Sequence, residues 1–173
     1  MALHGTIGPA QTTYSMVAER AGVQRHTLYA HFPDERSLLA ACSGLSNEQD
    51  PPPDAELWRD IADRGERLAA GLRAIYDWFE RNSSLLACVI RDAEHHALTR
   101  EAAGLHFAPA MAGWLEVLGA DLSSTQSALL RLAVSFFTWR SLVREGGLGQ
   151  GAAVAAMVTA IDCANEVEKD EIA

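Results

Sequence analysis

The chain is poor in the features that announce most chemistries. Its 173 residues hold 3 cysteines, Cys42, Cys88 and Cys163, odd in number and far apart. Neither a disulfide framework nor a CxxC metal clasp can be built from them, and such usage fits a reducing cytoplasm. β-Branched residues are sparse and nowhere alternate with polar ones, which argues against a sheet. No apolar run approaches the ~20 residues that span a bilayer, and no signal peptide is visible, so no membrane partner is expected. Catalytic signatures are missing as well. Ser83-Ser84 stand upstream of His95 without a nucleophile elbow, and the glycine-rich run Gly147 to Gly151 follows no strand. The sequence therefore predicts a protein that is not an enzyme and carries no cofactor.

Positive charge is also short. Lys and Arg number 14 against 23 Asp and Glu, a formal charge of −9 that at first disfavours a nucleic-acid partner. The distribution changes that reading. Residues 1–46 balance Arg20, Arg25 and Arg36 against Glu19, Asp34 and Glu35 and hold His4, His26 and His31, so the acidic excess lies in 47–173. A neutral head on an acidic body suits two parts with different partners.

What the chain has in abundance is helical periodicity. Apolar residues make up 49% and charged residues 21%, ordinary for a folded globular chain. Thr13 can cap a short helix to about Ala21, Gly22 permits a left-handed turn, and a second short helix covers about Gln24 to Ala30. Pro33-Asp34 opens a third helix, to about Ser43. The run Asn47 to Asp54, with its three prolines, reads as the seam between head and body. Beyond it, Leu57, Ile61, Leu68, Leu72, Ile75 and Phe79 form the stripe of a long helix ending near Arg81, where Asn82-Ser83 cap the next. Gly65 on that stripe hints at a close neighbour. Pro109 starts a helix to Leu118, and Ser123 to Gln126 reads as a capping box. A long helix then runs to about Glu145, and a last one covers about Ala152 to Val167.

Two short helices around Gly22 make a helix-turn-helix, whose second rod can enter a major groove. Gln24, Arg25 and His26 open that rod, where side chains reach base edges. Thr27 and Tyr29 can reach phosphate oxygens, while Leu28 and Phe32 point inward. The same spacing also suits a plain helical hairpin with a solvated face.

The stretch TTYSMVAERAGVQRHTLYAHFPDERSLL, Thr12 to Leu39, resembles the signature of TetR-type transcription regulators, above all at Thr12-Thr13, Val17-Ala18, Ala21-Gly22-Val23, Thr27-Leu28-Tyr29 and His31-Phe32. The resemblance implies an all-α fold: a helix-turn-helix head, residues 1–46, and a larger helical ligand-binding and dimerisation body, residues 47–173. It implies a cytoplasmic DNA-binding regulator, a repressor of double-stranded operator DNA released by a small-molecule inducer. Thr13 would cap the first motif helix and touch a phosphate, Gln24, Arg25 and His26 would face bases, and Tyr29 and His31 would contact the backbone. Two departures stand out. Glu35 occupies the place where the family usually has a lysine. The family's first helix, normally upstream of Thr12, has at most a remnant in Met1 to Gly5. Weak DNA binding is the expectation from that gap.

For the body, the resemblance implies a homodimer through the last two helices, about 124–145 and 152–167. The residues support this independently: bulky apolar groups line the first, and Ala152, Ala153, Ala156, Ala160 and Ala164 allow close approach in the second. Aromatic content suggests an inducer site, with Trp78, Phe79, His95, Phe107, Met111, Trp114, Phe136 and Trp139 as candidate lining and Arg140 to orient the ligand. Ordinary core packing is the competing reading of the same rings. Asp92, Glu94, His95, His96 and His106 tempt a metal assignment. Adjacent histidines point ~100° apart on a helix, so no common ligand face forms and no metal is expected. Two alternatives stay open: a ligand-binding or dimerisation module whose head is impaired, and a helical enzyme working from His95 and His96.

Overall fold

In the computed structural model, residues 3–170 are described, and every regular element among them is helical. The chain divides into two compact units. One comprises the residues up to Pro51 with Asn82–Pro109, and the other Pro52–Arg81 with the residues from Ala110 onward.

In the first unit, residues 3–7 form turns and a 3-10 turn spans Pro9–Gln11. Met1 and Ala2, part of the expected helix remnant, lie outside the described residues. Helix α1 (Tyr14–Ala21) starts where the Thr13 hydroxyl accepts the Met16 N–H at 3.3 Å. It stops at Gly22, whose φ of 67° is a conformation that residues with a Cβ rarely adopt. Helix α2 (Arg25–His31) follows, and α3 (Glu35–Gln49) opens with a reciprocal box between Asp34 and Ser37. α3 runs six residues past the expected end near Ser43, through Asn47 and to the edge of the proline run. Ala18, Leu28 and Leu38 form the core of this head, with Tyr14, Val17, Phe32 and Cys42 packed around them.

The second unit holds the short helix α4 (Glu56–Arg59) and the first part of α5 (Arg64–Ala93). Leu68, Leu72, Ile75, Tyr76 and Phe79 along α5 are all 0% exposed, so this part of the expected stripe is the buried face. The helix does not reach back to Leu57, which lies in α4 and is 76% exposed, and Ile61 falls between the two helices. The close approach falls at Gly71 rather than Gly65: a Cβ on Gly71 would sit 2.6 Å from a Leu118 methyl. α5 does not end at Asn82. The Asn82 amide donates to Asp50 at 2.7 Å instead of capping a new helix, and the backbone continues unbroken to Ala93. Likewise α6 (Ala97–Leu118) contains Pro109 in its interior rather than starting there.

The expected long helix to Glu145 is broken. α7 (Ser124–Ala133) ends at Val134, α8 (Phe136–Trp139) restarts under a Ser135 cap, and Arg140–Glu145 form a π-turn closed by Gly146 N–H to Ser141 O at 2.8 Å. The break exposes the Ala133 carbonyl, which accepts the buried Tyr76 hydroxyl at 2.9 Å. α9 (Gln150–Asp170) packs on α7, where the buried Gln126 amide donates to Ile161 O at 3.0 Å.

Candidate nucleic-acid interface

The polar residues of α2 separate cleanly from its anchors. Leu28 is buried and Phe32 half-buried, whereas Gln24, Arg25, His26, Tyr29 and His31 are exposed and Thr27 is half-buried. Gln24 sits at the helix start in extended conformation, and its side chain makes no cap bond. Val23 N–H returns to Ala18 O at 3.0 Å, which fixes the angle at which α2 leaves the turn.

Arg25 is held along the rod. Its guanidinium donates to the Tyr29 hydroxyl at 3.1 Å and lies 5.4 Å from that ring's centroid. Tyr29 in turn stacks on Tyr14, with centroids 4.4 Å apart and planes within 6°. The Tyr14 hydroxyl donates to Phe32 O at 3.0 Å, tying the end of α2 back to α1. Burial, then the nearby anion Asp34, Tyr29 and Glu35 push the Tyr14 phenol above its ordinary value. The result is a stacked series, Arg25, Tyr29 and Tyr14, which limits the rotamers Arg25 can adopt before DNA arrives. Tyr14 is a component that sequence reasoning missed. Its only signal is position: an aromatic with a polar tip just after the Thr13 cap.

Where α3 begins, charge is mixed. Asp34 accepts the Ser37 N–H at 2.8 Å, and its carboxyl lies below the usual carboxylate range because the Ser37 N–H and hydroxyl favour the anion. Glu35 lies 3.2 Å from the His96 ring, whose other nitrogen faces Thr99 Oγ1 at 2.7 Å. Arg36 donates to Glu101, and the Ser43 hydroxyl to Ala102 O at 3.3 Å. Asp92, expected near His96 in a possible metal cluster, turns instead toward the start of the chain and accepts the Ala10 N–H at 3.0 Å and the Arg91 guanidinium. His95 is exposed and Phe107 half-buried, and both belong to this first unit.

The other inducer candidates lie in the second unit. Trp78, Phe79, Trp114, Phe136 and Trp139 are buried in one aromatic cluster. Phe79 is its hub, 5.6 Å from Phe136, 6.1 Å from Trp139 and 6.4 Å from Trp114. Trp114 donates to Pro53 O at 2.8 Å, whereas the buried Trp139 indole N–H has no hydrogen-bond partner. Met111 is half-buried. Arg140 is half-exposed, bonds Glu145 at 3.1 Å and lies over the Phe137 ring at 5.3 Å.

Two short helices joined by a glycine turn, the second with an exposed polar face, have the geometry of a helix-turn-helix. The model of the bacterial regulatory proteins of the tetR family matches residues 1–42, and this match to the head supports a tetR-family regulator. No curated protein and no solved structure gives a significant match to the chain. None of the described helices is long and apolar enough to cross a membrane.

Proposed function

We propose that the protein is a cytoplasmic repressor that binds double-stranded operator DNA as a homodimer and is released by a small molecule. Residues 1–46 read the DNA, and residues 47–173 pair the subunits and hold the inducer. The observation that carries this reading is the exposed start of α2, where Arg25 is backed by the Tyr29–Tyr14 stack within the matched head. In this reading Gln24, Arg25 and His26 meet base edges, and Thr13, Thr27, Tyr29 and His31 meet the phosphate backbone. The aromatic cluster around Phe79, with the unpartnered Trp139 N–H, supports an apolar inducer bearing a hydrogen-bond acceptor. A coupling of ~1–3 kcal/mol between the two sites changes operator affinity roughly five- to 150-fold, enough for a switch.

Fluorescence anisotropy with duplexes tiled across the DNA upstream of the coding sequence tests it. One duplex binds well above the mixed-sequence background, and Arg25→Ala weakens that complex by about 1–3 kcal/mol while relaxing discrimination at one base position. Uniform affinity for every duplex, unchanged by Arg25→Ala, overturns the operator reading.

A further inference from the structure

The start of α3 lies beside the DNA-reading surface, because it follows α2 after three residues and Tyr14, stacked on Tyr29, donates to Phe32 O just before it. That first turn carries Asp34 and Glu35, two negative charges where a duplex would bring more, and a single compensating cation, Arg36. Cations are scarce throughout this unit. Of its five arginines, Arg20 is exposed in the last turn of α1, Arg91 is engaged by Asp92 and Ile7 O, and Arg100 by the carbonyls of Ala93 and Glu94 at the end of α5. Arg25 leans on Tyr29. Arg36 is 60% exposed, yet its guanidinium donates to the Glu101 carboxylate from the first turns of α6.

We propose that Glu101 is a positioning residue for DNA binding: it holds Arg36 away from the phosphate backbone, and DNA engages fully only as Arg36 exchanges the Glu101 carboxylate for a phosphate. This rests on the head being a DNA reader. Exposed ion pairs are weak and exchange readily, so a duplex with its dense phosphate charge is a competent rival for Arg36. The contact lowers affinity twice. It occupies the cation that the first turn of α3 needs, and it sets a third carboxylate beside Asp34 and Glu35. Glu35 lies against His96, just before α6, so the first turn of α3 meets this region through two side-chain contacts, Glu35 with His96 and Arg36 with Glu101.

The test is a salt titration of full-length wild type, Glu101→Gln, Arg36→Gln and the double variant. The probe is a fluorescein-labelled mixed-sequence duplex, and circular dichroism melts verify folding. Glu101→Gln is expected to bind roughly three- to tenfold tighter, with the slope of log K against log salt steeper by ~0.9, the value of one added phosphate contact. In the Arg36→Gln background the same substitution gives no such gain. A gain that survives Arg36→Gln reflects general charge alone and overturns the proposal. So does binding by wild type with affinity and slope unaltered by Glu101→Gln. Absence of salt-sensitive binding in all four proteins overturns the DNA-reading head itself, and this inference with it.

Discussion

Asp92 shows how a single carboxylate can fasten a segment with little structure of its own. Residues 3–11 are turns and a short 3-10 piece, yet the Ala10 N–H donates to Asp92 and Ile7 O accepts from Arg91. Burial by itself would raise the Asp92 carboxyl. The Ala10 N–H, the Arg91 guanidinium and the nearby His95 outweigh it, and the group lies below the ordinary carboxylate range. A depressed folded-state value means that Asp92 stabilises the fold above the ordinary range, and that this contribution fades as pH falls through the lower folded value. Asp92→Ala is expected to cost about 1–3 kcal/mol near neutral pH in urea denaturation, since it leaves a partly buried N–H without an acceptor. The gap between wild type and variant then narrows in acid. A gap that stays constant into strong acid would show that the carboxylate charge is irrelevant. The sequence marked Asp92 only as a tempting metal neighbour of His96. Its real partner lies 82 residues away, a distance that local patterns do not cover. Arg25 and Tyr29 were legible as a polar pair on one rod, but Tyr14, 15 positions before Tyr29, was not.

At the level of elements, local chemistry was readable and tertiary overrides were not. The Thr13 cap, the Gly22 turn and the Ser123–Gln126 box are encoded within four residues each, and all three stand where the pattern put them. The stop expected at Asn82 and the start expected at Pro109 both failed. The Asn82 side chain, which would have capped a new helix, bonds Asp50 instead, and Pro109 lies inside α6. Conversely, nothing in the run from Ser124 to Glu145 signals a break. Val134 and Ser135 form one that Tyr76 secures, and burial pushes the Tyr76 phenol up to about 12. Gln126 joins both kinds of information. Its carbonyl closes the box with the Ser123 N–H at 3.1 Å, and its amide reaches Ile161 O on α9. Ser123→Ala is therefore expected to cost about 1 kcal/mol, the usual value of a lost cap. Gln126→Ala should cost more, about 2–3 kcal/mol, because a buried carbonyl also loses its donor. Equal costs in urea melts would mean that the α7–α9 bond contributes nothing beyond the cap.

For the whole molecule, charge asymmetry along the chain pointed to a neutral head on an acidic body. Contiguity misleads in one respect: Asn82–Pro109 joins the head's residues in one compact unit, and no composition shift marks it. The proposed pairing of two chains depends on surface in the other unit. There Leu132, Phe137 and Leu148 are 52%, 48% and 39% exposed, an apolar surplus near the end of the chain. The alanines of α9 divide between the two roles that sequence left open: Ala153 and Ala164 are buried within the unit, while Ala152 and Ala156 remain outside. Exposed leucine and phenylalanine, with exposed alanines on the last helix, are what an uncovered half of a helical bundle offers a second copy. A charge at Phe137 would have to be desolvated in such an interface, whereas on a free monomer it would sit in water at little cost. Light scattering after gel filtration is therefore expected to give wild type twice the 18.7 kDa chain mass, and Phe137→Glu a mass falling toward the single chain as it is diluted. The variant should keep its helical circular dichroism but bind a two-half-site duplex at least tenfold more weakly, because each head then binds alone. Wild type running as a single chain at micromolar concentration, or Phe137→Glu unfolding rather than dissociating, would place Phe137 in the service of its own subunit and leave the second copy without a surface to hold.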